Sequence, residues 1–485
     1  MSDQPLPSPV PPHAFVNFNA RRREGLSLVS RRGMIKTGFA GLAGLTLPAL
    51  MKHRAEAVSA GRSLGRKSVI LLWMAGGPSH IDTWDPKPTR PLENRGPFGV
   101  TQTKLPGVHI CEHLPKQAAM LDKFTILRSV DARNSNHQPN MVFQTGNLAA
   151  APRVNPIGDK YPSIGSIVAK HRSAKAAGMP PYIAFQTDQT HVGYAGYLGK
   201  QYDPFIAQQA AKLPIYTDVG VDTGRVGGAN LFDLPLGLSQ DRISDRRSLL
   251  TQFDRLRSGL DQRGSMKALD AYSQQAVEMV LGSSARDAFD ITREPQPTRE
   301  RFGNHLWCQE ALMARRLVEA GASFVTLDLS YHRASGTWDT HGDNIPPYGG
   351  IKNGLGPLLP LFDHLITTLI SDLEERGLLD DCLVIAMGEF GRTPQMGTQD
   401  SSDGRNHWPV VMSMCLAGGG YRHGQVIGAT ESDGGQIADR PITPGDLAAT
   451  IYHHLGVPLD TSYEDERGRP YLAVQNNGQP LRELV

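Results

Sequence analysis

Leu383 to Pro409 reads LVIAMGEFGRTPQMGTQDSSDGRNHWP. It begins with a short apolar run, Leu383-Val384-Ile385-Ala386-Met387, which Gly388 stops. An uninterrupted apolar run of strand length marks a strand covered on both faces, as in a parallel sheet, where inward and outward positions need not alternate. Gly388, Glu389, Gly391 and Arg392 follow at the strand's carboxyl end, and the loop closes on Arg405-Asn406-His407-Trp408-Pro409. Open α/β sheets bind ligands at the carboxyl ends of their strands. A carboxylate, two arginines and a histidine gathered there predict a metal or oxyanion site. The plainer alternative is a capped turn carrying a solvated Arg–Glu pair.

The rest of the chain repeats this grammar. Lys67 to Ala75 (KSVILLWMA) is another continuous apolar run, and it ends in GGPSHIDTWDPKP. Gly76 and Gly77 permit a sharp turn and the close approach of a ligand. Asp82 and Asp85 stand just past the strand, where hard cations find oxygen ligands and zinc accepts them alongside imidazole. Asp85 precedes Pro86 and also suits turn initiation, so Asp82 is the better ligand candidate. A strand over 124–130 leads into Asp131 to Pro139 (DARNSNHQP) and a short helix closed by Gly146. Delivered to that helix N-terminus, Ser135, Asn136 and His137 would suit an anion, although a capping loop has the same composition.

Further along, the pattern predicts a helix over 163–169 and a strand over 182–185. An excursion across the sheet edge follows over 186–230, then a charged helical layer or lid from about 239. A helix over 304–320 feeds a strand over 323–329. Past it lies Trp338-Asp339-Thr340-His341-Gly342-Asp343-Asn344, where three ligand-type side chains crowd five residues of a glycine-containing loop. That density favours a metal over a solvated turn. The helix over 358–376 carries Leu358, Leu361, Phe362, Leu365, Leu369 and Leu373 on one stripe. A strand over 410–417 and a helix over 446–455 complete an α/β alternation.

At 485 residues the chain has room for two or three average domains, or for one α/β domain with insertions. With 39% hydrophobic and 20% charged residues, a large core is possible. Residues 1–60 hold eight Lys and Arg against three acids, +5, so the remainder carries −3 of the overall +2. No basic stripe remains there, which excludes nucleic-acid binding. Cys111, Cys308, Cys382 and Cys415 form no CxxC pair and read as buried apolar residues.

Arg31-Arg32 precede a short, glycine-rich apolar segment from Thr37 to Leu47, with Ala55, Ala57 and Ala60 beyond it. This resembles a bacterial twin-arginine export signal, too short for a good permanent span. It implies passage through the twin-arginine translocase to the periplasm or beyond, with no transmembrane anchor in the mature protein. Residues 1–60 are accordingly set apart as signal. Residues 61–485 are expected to form one domain with a helical insertion at about 239–300.

GGPSHIDTWDPKP, the NSNHQ loop before Thr145-Gly146, WDTHGDN, RGLLDDCLVIAMGEFGRTP and GRNHWP together resemble one bacterial family. It is the domain-of-unknown-function family 1501 of twin-arginine-exported proteins, and the resemblance runs from about Lys67 to Leu455. That family looks like a sulfatase-like branch of the alkaline phosphatase and sulfatase superfamily. The resemblance implies a three-layer α/β/α sandwich of the alkaline phosphatase-like type, with a mostly parallel sheet. It also implies one or two divalent ions (zinc, manganese, magnesium or calcium). As metal ligands it implies Asp82, Asp339, His341, Glu389 and His407. Two departures stand out: Phe390 occupies the place of an expected ligand histidine, and the nucleophile-like loop has no Cys. Asn136 falls near the nucleophile position, leaving Ser135, His137 or a water to attack. The implied activity is metal-dependent hydrolysis of phosphate or sulfate esters, small-molecule or carbohydrate. Arg392 or Arg405 would hold the oxyanion, and His137 would serve as acid, base or nucleophile. The alternative is a non-catalytic exported binding module on the same fold.

Overall fold

Ser68–Trp73 forms β1, six residues all buried. It sits between two parallel neighbours, with Leu71 opposite Thr326 on one side and opposite Ile385 on the other. This position explains the unbroken apolar run. Val69, Leu71 and Trp73 enter one core and Ile70, Leu72 and Met74 the other, so both faces of the strand are inside. The computed structural model describes residues 67–137, 141–151, 155–172, 179–186, 189–207, 283–330, 336–342, 349–397 and 400–485. The export segment, Asp343 and most of the expected helical insertion lie outside the described residues.

The remaining strands of the central sheet are β2 (Phe124–Val130), β3 (Tyr182–Phe185), β4 (Phe205–Ala207), β5 (Phe324–Asp328), β6 (Cys382–Met387), β7 (Met412–Gly418) and β8 (Gln425–Ile427). Their spatial order is β8-β2-β7-β6-β1-β5-β3-β4. Every pairing is parallel except those of β7, which runs antiparallel to both β6 and β2. The fold is thus α/β with a mostly parallel, eight-stranded sheet. Two short edge strands, β4 and β8, have no counterpart in the sequence reading.

Helices cover both faces and make three layers. On the side of Ile70 and Leu72 pack α1 (Pro115–Ala119), α4 (Gln296–Phe302), α5 (Leu306–Glu319) and α6 (Gly356–Glu375). The helical stretch Gly350–Glu375, which ends in α6, is apolar enough by length and composition to cross a membrane, but its Leu358, Phe362, Leu365 and Leu369 are buried in this core. On the side of Leu71 and Trp73 pack α2 (Met141–Thr145), α3 (Ile164–Arg172) and α7 (Pro444–Leu455). Helix α7 starts on a capping box, in which the Thr443 side chain accepts from Asp446 N–H and the Asp446 carboxylate accepts from Thr443 N–H. It ends on Gly456 at φ 69°, the left-handed stop that favours glycine.

A titratable strut lies at the sheet edge opposite the carboxyl ends. His454 of α7 has its Nε2 2.9 Å from the Ser68 carbonyl. Burial, assisted by the charge of Lys67, holds its imidazole down to about 4. An unfolded histidine titrates near 6.5, so between the two values only the unfolded chain takes up this proton. The stabilisation is complete above pH 6.5 and is lost as pH falls to about 4, on the order of 3 kcal/mol from this residue. Urea unfolding at pH 7, 5.5 and 4 should show this slope, and His454→Gln should flatten it. Equal slopes in both proteins would place the titrating group elsewhere.

Candidate metal centre

The centre is built where β1, β5 and β6 end. Gly76 (φ 125°) and Gly77 (φ 69°) turn the chain out of β1 in conformations that side chains rarely adopt. A Cβ on Gly76 would overlap the backbone of Trp338 and Asp339, and one on Gly77 would come within 2.6 Å of the Phe390 ring. The close approach these glycines permit is therefore that of the protein's own loops. Trp338 N–H donates to Ala75 O at 2.9 Å and its indole Nε1 donates to Leu329 O at 2.9 Å, which fixes the loop carrying Asp339 and His341. Gly76 N–H donates to both Glu389 oxygens, at 2.9 and 3.2 Å. The two-residue ribbon His407–Trp408 pairs with Gly391–Arg392 and brings His407 back beside β6.

These loops gather His137, Asp339, His341 and His407 so that one donor atom from each lies within 4.8 Å of all the others. His137 Nε2 stands 3.2 Å from Asp339 Oδ2, while its Nδ1 lies 2.8 Å from Glu389 Oε1. Asp339 Oδ1 accepts the His341 backbone N–H at 3.0 Å and also touches His341 Nδ1. The His407 ring is 4.3 Å from that of His137 and 4.5 Å from that of His341. Phe390 packs against two of the three imidazoles, 4.8 Å from His137 and 4.6 Å from His407.

Burial by itself would push the Asp339 carboxyl up. The Arg392 guanidinium, with His137 and His341 beside it, outweighs burial and holds the group well below the usual carboxylate range. His407 is displaced in the same direction for the opposite reason. Burial, then the neighbouring His137, Arg392 and His341, keep its imidazole far below the ordinary value, with Asp339 opposing. A neutral imidazole is the form that ligates metals. The buried Nε2 of His407 makes no hydrogen bond to any described residue, and that of His137 faces only the Asp339 carboxylate, at 3.2 Å. An orphaned acceptor is costly in a protein interior, and a cation would satisfy the His407 nitrogen. Three imidazoles and one carboxylate suit zinc or another first-row ion better than calcium or magnesium, which favour oxygen ligands. The residues fit a divalent ion.

The other site residues singled out in the sequence are placed as follows. Glu389 is fully buried, but its carboxylate is occupied by the Gly76 N–H and His137, so it stands behind a candidate ligand. Asp82 is bound to Arg405 at 2.7 Å and to the Ser79 hydroxyl. Asp85 pairs with Lys87 and Arg128 and accepts from Thr430, a structural set. Neither arginine has a donor to spare. Arg405 serves Asp82 through Nε and Nη2, and also the carbonyls of Asn94, Thr393 and Pro394. Arg392 serves the carbonyls of Gly76, Gly77 and Arg405, and Asp339, and stands 3.3 Å from His341 Nδ1. Five contacting atoms surround the five N–H donors in each case, two of them from Asp82 for Arg405. Ser135 is buried with an Oγ that has no hydrogen-bond partner among the described residues. The aromatic wall supplied by Phe390 was visible in sequence only as a missing histidine.

Among solved structures, the chain is similar to a sulfatase from Pseudoalteromonas sp., at 13% identity and TM-score 0.38, covering 84% of this chain and 71% of that one. It is similar also to phosphonate monoester hydrolases. That of Silicibacter pomeroyi matches at 12% identity and TM-score 0.37, covering 86% of this chain and 76% of that one. That of Agrobacterium radiobacter matches at 12% identity and TM-score 0.35, with the same two coverages, 86% and 76%. Among curated proteins, none matches the chain. The family described as "Protein of unknown function (DUF1501)" matches residues 66–485.

Proposed function

The chain belongs to the DUF1501 family, and from that premise we propose that it is a metal-dependent hydrolase of phosphate or sulfate esters. The observation that carries the proposal is the convergence of His137, Asp339, His341 and His407, with a buried His407 Nε2 that makes no hydrogen bond among the described residues. These four residues would hold the ion. A divalent cation there would polarise an ester oxygen and offset charge developing on the leaving group.

The chain's own groups prepare the site. Glu389 orients His137 by accepting from Nδ1, which keeps Nε2 as the ligating nitrogen, the usual task of a carboxylate behind a metal-bound histidine. Phe390 packs against His137 and His407, and the His341 side chain keeps 14% of its surface exposed. Ser135, two residues before His137 and with no hydrogen-bond partner at Oγ among the described residues, is the hydroxyl we assign as the candidate nucleophile. The twin arginines at 31–32 support export, and a periplasmic setting suits an ester that is small or part of a carbohydrate.

One observation favours a second reading, a non-catalytic exported module that keeps the metal. Arg392 and Arg405 spend all their donors on the protein and have none for an oxyanion. Metal analysis of protein exported in native cells, combined with assays on aryl phosphate and aryl sulfate esters, separates the two. Hydrolysis of either class that depends on the bound ion is the expected result. Stoichiometric metal without hydrolysis would favour the module, and neither metal nor hydrolysis would end both readings.

A further inference from the structure

Two of the three clustered imidazoles are held by a carboxylate: Glu389 accepts from His137 Nδ1, and Asp339 touches His341 Nδ1. His407 differs. Its Nε2 makes no hydrogen bond to a described residue, so the ring stands where its backbone and the packing of Phe390 put it. That backbone belongs to the ribbon of His407–Trp408 against Gly391–Arg392, which is only two pairs long. A ribbon of that size has little stability of its own.

Its support arrives from the edge of the sheet. After β8 the chain forms a short hairpin, Ala429–Thr430 against Ile437–Asp439. Three successive carbonyls at the hairpin's tip each take a side-chain donor. Asn94 Nδ2 donates to Asp433 O at 2.8 Å, His80 Nε2 to Gly434 O at 2.8 Å, and Trp408 Nε1 to Gly435 O at 2.6 Å. Trp408 lies on one strand of the ribbon, and His80 is buried against the other. A Cβ on Gly391 would come within 2.7 Å of His80 Nδ1 and 2.1 Å of the Val411 carbonyl, so the ribbon is wedged between them. Because a carbonyl only accepts, His80 carries its proton on Nε2, and burial favours that neutral ring. The tip also braces itself: Gly435 N–H donates to the Asp433 carboxylate at 2.8 Å, and Gly434 N–H to Glu431 O at 2.9 Å.

We infer that the turn Asp433–Gly435 fixes His407 for metal binding, with His80 and Trp408 as positioning residues that grip the two strands of its ribbon. The roles follow from these hydrogen bonds and rest, for the ion, on the metal-dependent reading proposed above. A group that orients a ligand from behind typically changes metal affinity by about 10–100-fold.

The test uses the full chain as wild type, Trp408→Phe, His80→Leu and His80→Gln. Zinc affinity is titrated against a competing chelator at pH 7, the visible absorption of the cobalt(II)-loaded protein is recorded, and urea unfolding is followed in chelator. Trp408→Phe and His80→Leu should each weaken zinc by about tenfold or more and alter the cobalt(II) spectrum. His80→Gln keeps a side-chain N–H for Gly434 and should bind zinc more tightly than His80→Leu. A purely structural role would lower the urea midpoint and leave the zinc affinity of the folded variants at the wild-type value, and that result overturns the inference. Equal weakening in His80→Leu and His80→Gln removes His80 from the role. Should Trp408→Phe fail to fold, the two His80 variants decide, and should those fail, Trp408→Phe does. A wild type that binds neither zinc nor cobalt removes the metal reading itself, whereas a wild type that binds zinc no better than the folded variants removes only the positioning roles.

Discussion

Replacing His341 by alanine is expected to lower zinc affinity by more than about 100-fold, beyond the 10–100-fold typical of losing a group behind a ligand. Ester hydrolysis should fall to background with it. The reason is the small number of donors: four side chains meet within 4.8 Å, and removing one leaves three around an ion that prefers four. The metal-free protein should lose little. The Asp339 oxygen that His341 touches still receives the Arg392 guanidinium at 2.9 Å. Stability in chelator should therefore change by no more than about 1 kcal/mol, the scale of one hydrogen bond. Zinc titration against a competing chelator, with urea unfolding in chelator, reads the two effects apart. Unchanged zinc affinity would remove His341 from the centre. The same measurement on His137→Ala distinguishes two roles that the sequence leaves separate. As a nucleophile it would leave binding intact, whereas a Nε2 only 3.2 Å from Asp339 Oδ2 predicts loss of the ion.

That contrast marks how far the sequence reaches. Strands buried on both faces announce themselves as unbroken apolar runs, and β1, β2, β3, β5 and β6 are legible for that reason. The same rule brings the residues after those strands to one sheet edge, so Asp339, His341 and His407 emerge as neighbours before any coordinates. The antiparallel direction of β7 is not written in its composition, because a buried strand is apolar whichever way it runs. The three-residue edge strands β4 and β8 are too short to show a period. What fails at the site is side-chain direction. Arg405 and His407 are two residues apart on one loop, yet His407 joins the imidazoles while Arg405 turns to Asp82, 323 positions away. Glu389 and Arg392 lie in the predicted place and do different work there, one holding His137 and the other tying Gly76, Gly77 and Asp339 together. Spacing assembles the cast, and the buried hydrogen bonds assign the parts.

The pair of Asp82 and Arg405 should show this most sharply in stability. Arg405→Met preserves much of the side-chain volume and removes the charge. It leaves a buried carboxylate with only the Ser79 hydroxyl and backbone for company, and strands the carbonyls of Asn94, Thr393 and Pro394. Breaking a buried pair from one side typically costs about 3–5 kcal/mol, because the remaining charge has lost both water and partner. Asp82→Asn in the Arg405→Met background should recover a good part of that loss, since the stranded charge is gone. The coupling from the double-mutant cycle should exceed about 2 kcal/mol. Urea unfolding in chelator keeps the metal centre out of the comparison, so a loss seen there belongs to the ion pair itself. An Arg405→Met protein within about 1 kcal/mol of wild type, or additive single changes, would mean that Asp82 is neutralised by something else.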